Sequence, residues 1–225
     1  MILHEGSTLS DSPQERSKRQ SRSRGWRFVV WVLAAAALLA IVVRAAFVDF
    51  YYIGSGSMRP SLEEGDGLLV SRTAYLSNPP ARGDVVVFDG RGSLLPYDRD
   101  NAAGSLLRAL RLAGDDAVFV KRVMAVGGDT ISCCDDDGAL VLNGAALDEP
   151  YLSAVEFPSE QRFTATVPEG RIWVMGDNRS DSTDSRALLG APGGGMIPED
   201  RVIGRVDRIV WPPERSGPLQ REGTQ

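Results

Sequence analysis

Apolar residues are gathered into one long run near the start of the chain and a series of short runs after it. Residues Phe28 to Val43 read FVVWVLAAAALLAIVV, and past Arg44 the apolar character continues to Val48. As a helix, Phe28 to Val48 would measure roughly 31 Å, the thickness of a bilayer core. The pattern predicts a transmembrane helix over 26–48. Arg44 near its far end can snorkel to the headgroups, and Trp26, Trp31, Phe47, Phe50, Tyr51 and Tyr52 supply interfacial aromatics. Arg16, Lys18, Arg19, Arg22, Arg24 and Arg27 precede the run, which by the positive-inside rule leaves the N-terminus in the cytoplasm. The expected location is therefore the cell membrane, crossed once, with everything after about residue 50 exported. The competing reading is a cleaved secretory signal. Its apolar region would be only ~7 to 15 residues long and would be followed by a small-residue cleavage site, where this chain has Arg44 and aromatics.

The short runs are rich in Val, Ile and Phe and bounded by Gly, Asp or Pro. They cover Gly67 to Ser71, Asp84 to Phe88, Ala117 to Val126, Thr130 to Ser132, Ala139 to Asn143, Arg171 to Met175 and Val202 to Val210. This spacing predicts a mainly β, antiparallel domain over 49–212. Turn signals separate the runs, among them Gly127-Gly128-Asp129 and the hairpin dipeptide Asn143-Gly144. Ser105 to Leu112 reads as a short amphipathic helix inside a polar insertion, 89–116. Residues 1–25, polar and without apolar period, read as a disordered cytoplasmic tail, and 213–225 as a C-terminal tail.

Composition narrows the function classes. Residues 45 to 225 carry 18 Arg/Lys against 27 Asp/Glu, so the exported part is acidic and nucleic acid is not an expected partner. The two cysteines, Cys133 and Cys134, are adjacent and cannot staple distant elements. An exported domain permits a bond between them or between chains, and a reduced pair is equally compatible. With no histidine or second cysteine pair nearby, no metal site is expected.

The candidate chemistry comes from what is scarce. Past the apolar run there is no histidine and one lysine, Lys121; His4 and Lys18 lie in the N-terminal tail. Ser57 sits in Gly54-Ser55-Gly56-Ser57-Met58-Arg59-Pro60, a few residues after the apolar run has ended. A serine hydroxyl needs a base to become a nucleophile, and the usual imidazole is missing. A lysine serves only when neutral, and its ordinary pKa of about 10.4 must be lowered by burial. Lys121 lies in AVFVKRVMAV, apolar enough for a core strand. The bland alternative is that Lys121 and Arg122 form a surface pair on an edge strand. A Ser-x-x-Lys arrangement is excluded because Pro60 stands three residues after Ser57. Met58 reads as an apolar wall beside the nucleophile.

Four ordered segments carry a resemblance. Ser55-Gly56-Ser57-Met58-Arg59-Pro60-Ser61-Leu62 is followed by Arg82-Gly83-Asp84-Val85-Val86-Val87-Phe88, then Lys121-Arg122-Val123 with Gly128-Asp129. Last comes Gly176-Asp177-Asn178-Arg179-Ser180-Asp181-Ser182-Thr183-Asp184-Ser185-Arg186. Together they resemble the motif set of type I signal peptidases, membrane-anchored Ser/Lys proteases that remove signal peptides from exported preproteins.

The resemblance implies a β fold of the signal-peptidase/LexA-like type, Ser57 as nucleophile and Lys121 as general base. It further implies an oxyanion hole from the Ser55 hydroxyl and the Ser57 backbone N–H, and Ser182 orienting the lysine amine. Asp184 and Arg186 become a structural ion pair, and Asp177 a supporting carboxylate. Implied partners are preprotein signal peptides ending in Ala-x-Ala, the lipid bilayer and the secretion translocon; no cofactor is implied. The chain departs from the family with Ala125-Val126-Gly127-Gly128 where Leu-Pro-Gly is common, and with Ser61 after the motif proline where Thr is common. A relative that has lost activity and only binds, or one that serves a single dedicated substrate, is the alternative. Residues 89–116 and 133–167 match no motif and receive no function.

Overall fold

The computed structural model describes residues 25–39, 47–95, 117–153 and 157–219. The chain divides into two units, Met1–Ala46 and Phe47–Gln225. In the first, residues 25–39 are helical, with Trp26, Phe28, Trp31 and Leu38 all exposed. No helix among the described residues is long and apolar enough to cross a membrane. The expected span runs on into 40–46, outside the described residues, as do the N-terminal tail and the helix expected at Ser105 to Leu112.

The second unit is built from antiparallel strands: β1 (Val48–Tyr52), β2 (Gly67–Ser71), β3 (Val85–Asp89), β4 (Val118–Val126), β5 (Thr130–Cys133), β6 (Leu140–Leu142), β7 (Ala145–Ala146), β8 (Phe163–Thr166), β9 (Arg171–Met175), β10 (Ile197–Pro198), β11 (Val202–Trp211) and β12 (Gly217–Pro218). The larger sheet runs β1-β2-β11-β3-β4-β9-β10, with β12 on β11. The smaller runs β7-β6-β5-β8. The smaller sheet is an insertion, because the chain leaves the larger sheet after β4 and returns at β9.

Why β3 reads as a continuous apolar run is visible in its packing. Val85 and Val87 join one core with Met58, Leu62, Leu68 and Val206, while Val86 and Phe88 join another with Val123, Ile172 and Val174. A strand buried on both faces shows no alternation. Strand β9 divides its side chains in the same way. Ile172 and Val174 face the second core, and Trp173 and Met175 face a third under the smaller sheet, with Ile131, Leu140 and Phe163. The Asn143-Gly144 hairpin has positive φ at both residues, 52° and 86°, the conformation that this dipeptide tolerates best.

Two sequence expectations are revised at their edges. Val48 starts β1, which pairs with β2 from Val48↔Ser71 to Tyr52↔Gly67, so Phe50, Tyr51 and Tyr52 belong to the sheet. The expected C-terminal tail begins with ordered structure: Gly217 and Pro218 pair with β11, and Arg215 contacts Asp66 at 3.0 Å and Glu63 at 3.0 Å. Cys133 and Cys134 are bonded to each other.

Candidate active site

Ser57 lies in a 3-10 turn, Gly56–Met58, entered from an extended Ser55 and closed by Arg59, whose N–H donates to the Gly56 carbonyl at 3.1 Å. The turn is anchored from within. Met58 is 1% exposed and packs in the core with Leu62, whose N–H donates to the Met58 carbonyl at 2.9 Å. Ser57 itself stays half-buried. Met58 therefore fills the core under the turn that holds Ser57, as well as flanking the nucleophile.

Lys121 comes from the middle of the sheet, on β4 opposite Val86 of β3. Its side chain is buried, and its Nζ lies 2.6 Å from Ser57 Oγ. Burial lowers the lysine from its usual range to about 8. The carboxylates of Asp184 and then Asp177 push it back up, and Arg186 pushes it down. At pH 7 roughly one lysine in ten is then neutral, against fewer than one in a thousand for an unperturbed lysine.

The loop after β9 closes the site from the other side. Asn178 donates twice to the nucleophile turn, from its backbone N–H to the Ser57 carbonyl at 3.1 Å and from Nδ2 to the Gly56 carbonyl at 3.0 Å. Gly176 is a glycine for want of space. A Cβ there would lie 2.2 Å from Ser182 Oγ and 2.4 Å from the Ser57 carbonyl oxygen. Its N–H donates to Asp184 Oδ2 at 3.0 Å. Asp184 also caps the 3-10 turn Ser185–Leu188 and pairs with Arg186 at 2.9 and 2.8 Å, both side chains buried.

The other residues singled out in the sequence fall nearby. Asp177 is fully buried and pairs with Arg122 at 2.8 and 2.7 Å. Ser55 is exposed, with its Oγ 3.3 Å from that of Ser57. Ser182 Oγ is buried against Gly176 and has no hydrogen-bond partner among the described residues, so the implied bond to the Lys121 amine is not formed here.

The partners of these groups carry no signal in the sequence. Arg122 stacks over the Tyr151 ring at 3.9 Å and donates to the Gly83 carbonyl at 3.1 Å; Arg179 pairs with Glu149. Arg122 and Asp177 are 55 positions apart, and Arg179 and Glu149 are 30 apart. Neither spacing leaves a local signature.

Comparison with known proteins identifies the family. The family model for signal peptidase, peptidase S26, matches residues 26–211. The probable signal peptidase I of Mycobacterium leprae is 37% identical, over 89% of this chain and 81% of its own length. Signal peptidase I of Mycobacterium tuberculosis is 34% identical over 96% and 84%, and signal peptidase I T of Bacillus subtilis is 28% identical over 91% and 96%. A crystal structure of an Enterococcus faecalis signal peptidase I aligns with 56% of this chain and 96% of its own, at 27% identity and a TM-score of 0.38. The chain belongs to the signal peptidase family, peptidase S26. Within it, the chain is an enzyme of the signal peptidase I type.

Proposed function

We propose that this protein is a membrane-anchored serine endopeptidase that removes N-terminal signal peptides from exported preproteins, cutting after small residues of the Ala-x-Ala kind. The observation that carries the mechanism is the 2.6 Å approach of Lys121 Nζ to Ser57 Oγ, with burial holding that lysine near a pKa of 8. Neutral Lys121 accepts the Ser57 proton as Oγ attacks the scissile carbonyl. The Ser57 backbone N–H and the Ser55 hydroxyl donate to the oxyanion that develops. Lys121 then returns its proton to the leaving amine, and the C–N bond breaks to leave an ester on Ser57. A water molecule, deprotonated by Lys121, attacks the ester; Lys121 returns that proton to Ser57 Oγ as the ester C–O bond breaks, releasing the signal peptide with its new carboxylate.

Asp184 and Arg186 brace the loop that carries Ser182, Asp177 supports it, and Ser182 orients the amine as substrate seats. The substrate lies extended along the strand edge near the dyad, in the regions 52–56 and 117–123. Of β4, only Arg122–Val126 pairs with β9, so Val118–Lys121 has no strand partner on that side among the described residues, which supports this docking. The apolar stretch 26–48, with basic residues before it, supports a single anchor with the N-terminus in the cytoplasm and the peptidase outside. Confinement of enzyme and preprotein to one bilayer, beside the secretion translocon, raises their effective concentration.

The test is cleavage of an Ala-x-Ala peptide in phospholipid by wild type and by folded Lys121→Ala, side by side across pH. Wild type should cut after the second alanine, at a rate that rises through about pH 8, and the variant should fall at least 10³-fold. Equal rates would remove Lys121 from the mechanism.

A further inference from the structure

The connection between β7 and β8, residues 147–162, belongs to the smaller sheet and carries none of the motifs of the site. It nevertheless sends two side chains in behind the reacting groups. Glu149 accepts from both terminal nitrogens of Arg179, with Nη1 donating to Oε2 at 3.2 Å and Nη2 donating to Oε1. Arg179 Nε donates in turn to the Gly176 carbonyl at 3.0 Å. Tyr151 donates its hydroxyl to Glu149 Oε1 at 2.8 Å, and its ring lies under the Arg122 guanidinium that pairs with Asp177.

One carboxylate therefore ties together two arms that end beside the dyad. The first arm ends at Gly176, whose N–H is held by Asp184 and whose carbonyl is held by Arg179. Ser57 and Ser182 rest against that same glycine without room for a methyl group. Any rotation of the Gly176 peptide is felt at the nucleophile. The second arm ends at Arg122, the residue following Lys121 on β4.

The energetics point away from a stabilising device. The Glu149 and Arg179 side chains are 6% and 1% exposed, and taking two such charges out of water carries a desolvation cost that their attraction must first offset. Apolar residues of similar volume would close this loop at least as well. What an ion pair adds is fixed geometry: a forked guanidinium held at one end by a carboxylate and aimed at one carbonyl.

We propose that Glu149 is a positioning residue for the reaction at Ser57, acting through Arg179 on the Gly176 carbonyl and through Tyr151 on Arg122. The inference rests on the Ser57/Lys121 reading above. Its test uses the full-length protein in phospholipid, with kcat and KM on the Ala-x-Ala peptide and thermal unfolding measured for wild type, Lys121→Ala, Glu149→Gln and Glu149→Gln/Arg179→Gln. The double variant removes the guanidinium that the single one leaves buried and unpaired, and so guards against misfolding. The folded Glu149 variants should lose about 10- to 100-fold in kcat, with KM within about twofold of wild type.

A folded variant with the wild-type kcat, or with a loss in KM alone, overturns the proposal. Failure of both variants to fold assigns Glu149 to stability and overturns it as well. An inactive wild type would sink the Ser57/Lys121 reading, and this inference with it. An active wild type, a silent Lys121→Ala and a fully active Glu149→Gln would sink this inference alone.

Discussion

The two halves of the dyad are held in opposite ways. Ser57 sits in a half-exposed turn of small residues, gripped by Asn178 from outside and by Met58 from below. Lys121 sits in a central strand, 3% exposed, with two buried carboxylate–guanidinium pairs within reach of its charge. The serine must meet a polypeptide, so its surroundings leave one side open. The lysine must stay partly neutral, so its surroundings exclude water. The same 2.6 Å contact joins an accessible group to a desolvated one, and neither environment could serve for both.

Three changes probe this division, beginning with the largest effect. Asp184→Ala removes the carboxylate from the buried side, leaving Arg186 unpaired and the Gly176 N–H without its acceptor. Chemical denaturation should show a loss of roughly 3 to 5 kcal/mol. A loss under about 1 kcal/mol would mean that the pair is dispensable and that the lysine side is less tightly held than described.

The second change sharpens the comparison by reversing its cost. Keeping a lysine at a pKa of about 8 where the free side chain has 10.5 corresponds to roughly 3 kcal/mol of folding free energy at neutral pH. The folded state binds fewer protons than the unfolded state between those values. Wild-type stability should therefore rise as pH climbs from 8 to 10.5, and the cost is carried in full below 8. Lys121→Met should be inactive yet about 1 to 3 kcal/mol more stable at pH 7, with the gap closing toward pH 10. A gap that stays constant with pH would show that desolvation of the amine is not its source.

The smallest effect belongs to the open side. Asn178→Ala deletes the Nδ2 bond to the Gly56 carbonyl but keeps the backbone bond to Ser57. One hydrogen bond of about 1 kcal/mol, acting on a turn that Met58 still anchors, should lower kcat several-fold and leave the unfolding temperature nearly unchanged. A fall as large as that of Lys121→Ala would mean that the turn has no other support.

What could be read from the sequence depended on how far apart the cooperating residues lie. Strands β2, β3, β4, β9 and β11 announce themselves as Val/Ile runs between turn residues. Strand β8, Phe163–Thr166, has only four residues of alternation, in a polar stretch, and leaves no comparable signal. Strand β1 merges in the sequence with the apolar run that precedes it, because its aromatics suit a membrane interface as well as a strand. At the site, Ser57 and Lys121 could be picked out because each is rare in its kind or setting. Arg122, Arg179, Glu149 and Tyr151 are common residue types whose roles exist through partners brought in by the insertion between β4 and β9. Ser182 could be named but its bonding could not be foreseen, since its position against Gly176 is set by packing.

Arg215 gives the fold an order in time. It reaches back across 149 positions to Asp66, and also to Glu63 and the Ser61 carbonyl, in the segment directly after the nucleophile. Ribosomes make Ser57 long before Arg215. The frame around the active serine thus closes only once Arg215 has been made, and a growing chain carries its nucleophile through the synthesis of β2 to β11 before that.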